Sequence, residues 1–114
     1  MDNRTVAQTF VHLNQMAMQE VREENYEKAI YYFTQSLVLE EKLGMKEQMA
    51  ESFHNLANTY LLMKDYEQAL RKVKMALILR HQTGQKEEQL KLENLEEHIN
   101  EMMAENKPME GVEK

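Results

Sequence analysis

The residues of this sequence that could do chemistry are four histidines, two serines and several pairs of adjacent glutamates. No histidines have the HxxxH or HExxH spacing that puts two metal ligands on one helix face, and neither serine lies in a GxSxG turn. Adjacent helical side chains point about 100° apart, so paired glutamates make poor acid–base partners and are expected on solvated faces. These residues are His12, His54, His81, His98, Ser36, Ser52, Glu40–Glu41, Glu87–Glu88 and Glu96–Glu97. We therefore predict no catalytic, cofactor-binding or metal-binding residues.

The composition narrows the class of protein further. A length of 114 residues is typical of one domain. The absence of cysteine excludes a disulfide framework, and no apolar run approaches the roughly 18 residues of a membrane span. The net charge of −6 opposes binding to a phosphate backbone. A basic stretch is expected on the solvated face of a helix; it comprises Lys64, Arg71, Lys72, Lys74 and Arg80. We expect a cytoplasmic protein that binds neither nucleic acid nor membrane.

Residues 5–44 and 45–84 are two copies of one unit. When the sequence is aligned with itself at an offset of 40, eight aligned pairs are identical, against about two or three expected from composition. In each unit, apolar residues recur at steps of three and four, as in two amphipathic helices. A polar N-cap begins the second helix and a glycine ends it. The caps are Asn25 and Asp65, and the glycines are Gly44 and Gly84. The pattern predicts helices at 5–23, 26–43, 47–63, 66–83 and 87–105.

The apolar and small residues of both units resemble the signature of the tetratricopeptide repeat family. In the second unit they are Phe53, Leu56, Ala57, Tyr60, Ala69, Val73 and Ala76, and in the first Leu13, Met16, Ala17, Ala29, Phe33 and Ser36. The first unit departs at Glu20, where tyrosine is usual, and Glu41 and His81 replace the closing proline. The repeat period of 40 residues is similar to that of a variant of this family with longer helices. The resemblance implies an all-α fold, a right-handed α-solenoid of two helical hairpins plus a C-terminal capping helix.

The domain organisation follows from the repeats and from the residues after Gly84. The prediction is a single domain over 1–105, with repeats at 5–44 and 45–84, a capping helix at 87–105 and a disordered tail at 106–114. The last helix carries apolar residues on one face and glutamates on the other, as a solenoid cap does. The apolar residues are Leu92, Leu95, Ile99 and Met102. Their spacing also suits a short coiled-coil seam, so a weak homodimer through this helix remains an alternative.

The resemblance also implies a binding surface, because in this family the first helix of each hairpin lines a concave groove. The predicted partner-binding residues are Asn14, Met18, Arg22, His54, Asn58 and Leu61. Val11 and Glu51 are expected on the same two helix faces, with Val21 and Leu62 beside them. The last helix is expected to add Glu93, Glu97 and Glu101. Since only Arg22 is cationic, we expect a basic or neutral peptide as the ligand rather than an acidic one.

The function predicted from the resemblance is a protein–protein interaction module, or scaffold, that binds a peptide or helix of a partner and carries out no catalysis. Two alternatives remain open. One is a self-association module that forms homo-oligomers. The other is a regulatory domain that senses a peptide or ligand and acts on an enzyme or a transcription factor.

Overall fold

A computed structural model describes residues 3–106, which form five consecutive α-helices and contain no strand. The helices are α1 (Asn3–Arg22), α2 (Tyr26–Lys42), α3 (Lys46–Leu62), α4 (Tyr66–Gln82) and α5 (Lys86–Glu105). The predicted boundaries are within two residues of these, and the all-α class is confirmed. Of the predicted tail, Asn106 is the C-cap of α5, and residues 107–114 lie outside the described part of the chain.

The five helices pack in chain order. Each helix contacts the next one, from α1 on α2 to α4 on α5, and the body measures 63 × 33 × 18 Å. A stack in which each hairpin is covered by its neighbour buries a continuous apolar core, which a single hairpin cannot do. The arrangement is therefore an α-solenoid of two hairpins, α1–α2 and α3–α4, followed by α5.

Small side chains lie where the helices cross. The four repeat alanines have no exposed surface; they are Ala17, Ala29, Ala57 and Ala69. Alanine at a crossing lets two helix axes approach the short end of the usual range of about 8–10 Å. Larger buried side chains, among them Phe33, Leu56 and Val73, fill the space around them. The two repeats therefore bury alanine at the same two positions, as the repeat pattern predicts.

All four turns between helices contain one residue with positive φ. Gly44 and Gly84, the predicted stops, have φ of 66° and 68°, and each can adopt this conformation because it lacks a Cβ. The other two turns use Glu24 and Lys64, with φ of 61° and 64°. Both residues have a Cβ, and L-residues with a Cβ rarely adopt this backbone conformation.

The two predicted N-caps behave differently. The Asp65 side chain accepts a hydrogen bond from the backbone N–H of Gln68 at 3.2 Å, as expected. Asn25 lies at the corresponding position but makes no capping bond, because its Nδ2 faces Glu20 Oε1 at 3.5 Å. The prediction of a side-chain cap is therefore wrong for Asn25. The residue that Asn25 contacts instead, Glu20, stands at the position where the second unit has a tyrosine.

α5 closes the end of the stack. Its Leu92 and Ile99 are fully buried against the preceding helices. One repeat earlier, Phe53 and Ala57 occupy the positions that in α5 are the exposed residues Glu93 and Glu97. The buried pattern of this face in α3 therefore does not continue into α5. Within residues 3–106, no helix combines the length and apolar character needed to cross a bilayer.

Candidate interaction site

The three predicted binding residues of α1 lie together. Asn14, Met18 and Arg22 are four residues apart, so they share one helix face, and with Val11 and Gln15 they line a depression of about 340 Å³. Two of these side chains are apolar and open to solvent, Val11 being 48% exposed and Met18 40%. The depression therefore offers apolar surface beside amide and guanidinium groups.

The three predicted residues of α3 differ in accessibility. Asn58 is exposed and His54 is half-buried, whereas Leu61 packs partly against the core. The neighbouring Leu62 is 54% exposed. The apolar surface that this end of α3 offers to a partner thus comes mainly from Leu62, although the repeat pattern favoured Leu61.

His54 lies among charges of both signs. Burial lowers the pKa of His54, Glu51 opposes that shift, and Arg80 adds to it. Two α5 residues, Glu88 and Lys91, also act on the imidazole with opposite signs. The surroundings of His54 are therefore mixed in charge. Across residues 3–106, no three histidine, aspartate or glutamate side chains come together in a way that could hold a metal ion.

Glu93 was expected to add to the same groove as the α1 and α3 residues. It lines a different depression between α4 and α5, together with Leu77, Ile78 and His81. Glu93 follows Lys91 by two positions, a rotation of about 200° around the helix, so the two side chains point to opposite sides of α5. The expectation that glutamates of α5 favour a basic or neutral peptide is not supported by this placement of Glu93.

Glu40 is the principal polar residue whose position differs from the one that the sequence predicts. It was expected on a solvated face with Glu41, but its side chain is completely buried. Ser52 Oγ of α3 lies 2.7 Å from Glu40 Oε1, and Asn14 Nδ2 of α1 and Ser36 Oγ of α2 lie 3.2 and 3.1 Å from Oε2. Burial raises the pKa of Glu40, and the hydrogen bonds from Ser52, Asn14 and Ser36 oppose that shift.

Arg80 occupies the position of Glu40 in the second repeat and is also buried, with 5% of its surface exposed. Its Nη2 donates to Glu51 at 3.0 Å and its Nη1 donates to Gln85. The expectation that Arg80 lies on a solvated face with the other basic residues is wrong. The sequence did contain a signal, because 40 and 80 continue the buried steps of three and four through 29, 33 and 36 and through 69, 73 and 76.

The apolar face of α5 is largely used within the chain. Leu92 and Ile99 have no exposed surface, while Leu95 and Met102 are partly buried. A coiled-coil seam through all four residues would require α5 to leave the body. Of these four residues, only Leu95 and Met102 keep part of their surface for a contact with a second copy.

Two stacked hairpins with alanines at their crossings and a polar end helix define a helical-repeat protein. A family model described as tetratricopeptide repeat matches residues 8–80, and the chain belongs to this family. Repeats of this family generally mediate protein–protein interaction and typically form non-catalytic scaffolds. A search of curated proteins finds no match to the chain.

Proposed function

We propose that this protein is an interaction module that binds a peptide or a helix of a partner protein along the exposed faces of α1 and α3. The observation that carries the proposal is the depression on α1, where Val11 and Met18 remain exposed although other apolar residues of the same helix are buried. Adjoining exposed apolar side chains, unlike isolated ones, are typical of a surface that another molecule covers, and Val11 and Met18 line the same depression.

The side chains around this surface suit a ligand with both apolar and main-chain groups. Met18 is flexible and can adapt to an apolar side chain of the ligand. Asn58 is exposed, and its amide can both donate to and accept from a peptide backbone. Leu62 extends the apolar surface along α3. Because the charges near His54 have both signs, the proposal does not specify a basic or an acidic ligand.

The experiment compares a groove variant with a matched variant on α2. Met18→Ala with Asn58→Ala removes one exposed apolar and one exposed polar side chain, and Val38→Ala with Gln35→Ala does the same away from the groove. We expect the groove variant to bind a recovered partner at least about tenfold more weakly by calorimetry, which is about 1.4 kcal/mol. Equal loss in both variants, or no loss in either, contradicts the proposal. Asn14 is left unchanged because it contacts Glu40.

Self-association is a second candidate, favoured by an apolar groove between α2 and α4. Met49 and Phe53 of α3 contribute to this groove, and Ile78 of α4, which is 58% exposed, lies at its edge. A second copy of the chain is the proposed occupant. Sedimentation velocity of the full chain and of an Ile78→Glu variant tests this candidate. A dimer that the variant loses supports self-association, and a monomer at high concentration contradicts it.

A further inference from the structure

The apolar groove between α2 and α4 has one wall that contains exposed apolar side chains. On α4 this wall contains Met75 and Ile78, which are 45% and 58% exposed. The floor contains Met49 and Phe53 of α3, and the groove has a volume of about 230 Å³. Met75 and Ile78 take no part in the buried core. Exposed apolar side chains that adjoin one another are typical of a surface that another molecule covers.

The neighbouring depression, between α4 and α5, has the same place in the repeat but receives polar side chains from its second helix. These are Gln89 and Glu93 of α5. One repeat earlier, the same two positions hold Met49 and Phe53 of α3. Ile78 lines both depressions and therefore lies on the ridge between them. α4 thus presents a projecting apolar side chain and, on its α2 side, a groove whose α3 residues are apolar.

A ridge beside a groove can be complementary to a copy of itself. In a dimer with two-fold symmetry both copies contribute the same patch, so every contact occurs twice. Ile78 of each copy can then enter the groove of the other copy, beside Met75 and Phe53. Because the chain supplies both the groove and the side chain that fills it, the occupant that matches this surface is a second copy.

The charges along α4 select the direction in which two copies can pair. The first half of α4 carries the basic residues Arg71, Lys72 and Lys74. A parallel pair of α4 helices would set these residues against the same residues of the second copy, and like charges repel. An antiparallel pair, about an axis near Ile78, sets them against the other end of the groove, where Glu41 lies.

The spacing along α4 brings one opposite charge to each end of this pair. Lys74 and Gln82 each lie four residues from Ile78, which is about 6 Å at 1.5 Å per residue. In the antiparallel pair, Lys74 of one copy lies opposite Gln82 of the other, and Gln82 lines the groove together with Glu41. Glu41 and Lys74 are exposed, and neither forms an ion pair within residues 3–106. Each is therefore available to an opposite charge from a second copy.

We propose that two copies of this chain pair through antiparallel α4 helices, with Ile78 of each copy in the α2–α4 groove of the other and Lys74 of each paired with Glu41 of the other. The two-fold axis makes the two ion pairs equivalent. None of these residues lines the α1 depression, so the dimer does not use that surface. The inference rests on self-association, the second candidate function, and gives it a geometry.

The test combines charge reversal with mixing of full-length chains. Glu41→Lys and Lys74→Glu each place two like-charge contacts in their own homodimer. In a mixed dimer of the two variants, the reversed charge at position 41 meets the reversed charge at position 74, and the two native residues meet each other. Glu101→Lys, at an exposed position of α5, is the matched reversal outside the groove.

Sedimentation velocity measures the dimer dissociation constant of each sample. We expect Glu41→Lys and Lys74→Glu each to dimerise about tenfold more weakly than the wild type, because each homodimer loses two exposed ion pairs. The equimolar mixture of these two variants should recover the wild-type dissociation constant. Glu101→Lys should dimerise like the wild type and should not rescue Lys74→Glu on mixing. Added salt should weaken the wild-type dimer and reduce the difference between it and the reversed variants.

The outcomes separate this arrangement from self-association in general. A wild-type dimer that neither reversal weakens, that the mixture does not restore, or that Glu101→Lys weakens equally overturns the α4 arrangement and leaves self-association standing. A wild-type chain that stays monomeric at high concentration overturns self-association and the arrangement together. Neither result bears on partner binding along α1 and α3, which the Met18→Ala with Asn58→Ala variant tests.

Discussion

Ser52 Oγ donates to Glu40 Oε1 at 2.7 Å, across the junction between the two hairpins. Glu40 lies near the end of α2 and Ser52 near the start of α3, so this contact joins the end of one repeat to the start of the next. At the following junction, Arg80 near the end of α4 donates to Gln85, the N-cap residue of α5, and also to Glu51 of α3 within the same hairpin. Both junctions therefore contain a buried, hydrogen-bonded charge-bearing residue at the same repeat position.

The first prediction concerns the stability that Glu40 provides. Glu40→Ala leaves a cavity and removes the partner of Ser52, so the free energy of unfolding should fall by about 2–4 kcal/mol. Glu41→Ala, at the adjacent exposed position, should change it by no more than about 0.5 kcal/mol. Urea denaturation measures both values. Equal effects in the two variants would show that Glu40 is not buried as described.

The second prediction concerns pH. The pKa of Glu40 is raised by burial, so the folded chain keeps this proton at pH values where the unfolded chain has lost it. The stability that Glu40 contributes is complete below the unfolded value and is lost as pH rises through the folded value. Relative to Glu40→Gln, the wild type should therefore lose stability as pH rises above about 4.5. Urea midpoints measured from pH 4 to about 8 test this, and a wild type that keeps or gains stability relative to Glu40→Gln as pH rises contradicts it.

The third prediction concerns the helix crossings. Ala57 and Ala69 are fully buried, so leucine at either position should overpack the crossing and destabilise the chain by roughly 1–3 kcal/mol. Ala104→Leu, on an exposed position of α5, is the matched control and should leave the melting temperature nearly unchanged. Thermal unfolding followed by circular dichroism measures the three variants. If leucine at Ala57 or Ala69 destabilises the chain no more than leucine at Ala104 does, the predicted repeat register is wrong.

The fourth prediction concerns the positive-φ residues. Lys64 and Gly84 have nearly the same φ, but only Lys64 carries a Cβ in this conformation. Lys64→Gly should stabilise the chain, and Gly84→Ala should destabilise it, each by about 1 kcal/mol. Space is not the cause, because an added Cβ at Gly84 meets no heavy atom within 4 Å. Calorimetry measures the melting temperatures of both variants. Shifts of the same sign in the two melting temperatures would exclude the backbone conformation as the cause.

The repeat pattern predicted the fold because packing constrains those positions most strongly. Ala17, Ala57 and Gly44 have roles that few residue types can fill, so residue type and spacing indicate structure directly. Helix boundaries followed from the same glycines and from Asp65. The sequence alone was therefore sufficient to predict an all-helical solenoid.

For the buried polar residues, the spacing along the helix and the residue type point in opposite directions. Glu40 and Arg80 are charged types that are usually exposed, and composition placed them on solvated faces. Their burial depends on partners such as Ser52 and Glu51, which approach only when the helices stack. Leu61 and Leu62 likewise differ by one position, and only packing decides which of them faces solvent.

The most direct test of an interaction surface on α1 and α3 is site-specific photo-crosslinking. A photoreactive residue is placed at Met18, in the α1 depression, and in a separate variant at Ile78, at the edge of the α2–α4 groove. The proposed function predicts crosslinks to one partner protein from Met18 only, and these are lost when excess unmodified chain competes. Crosslinks to a partner from Ile78 and none from Met18 would contradict it.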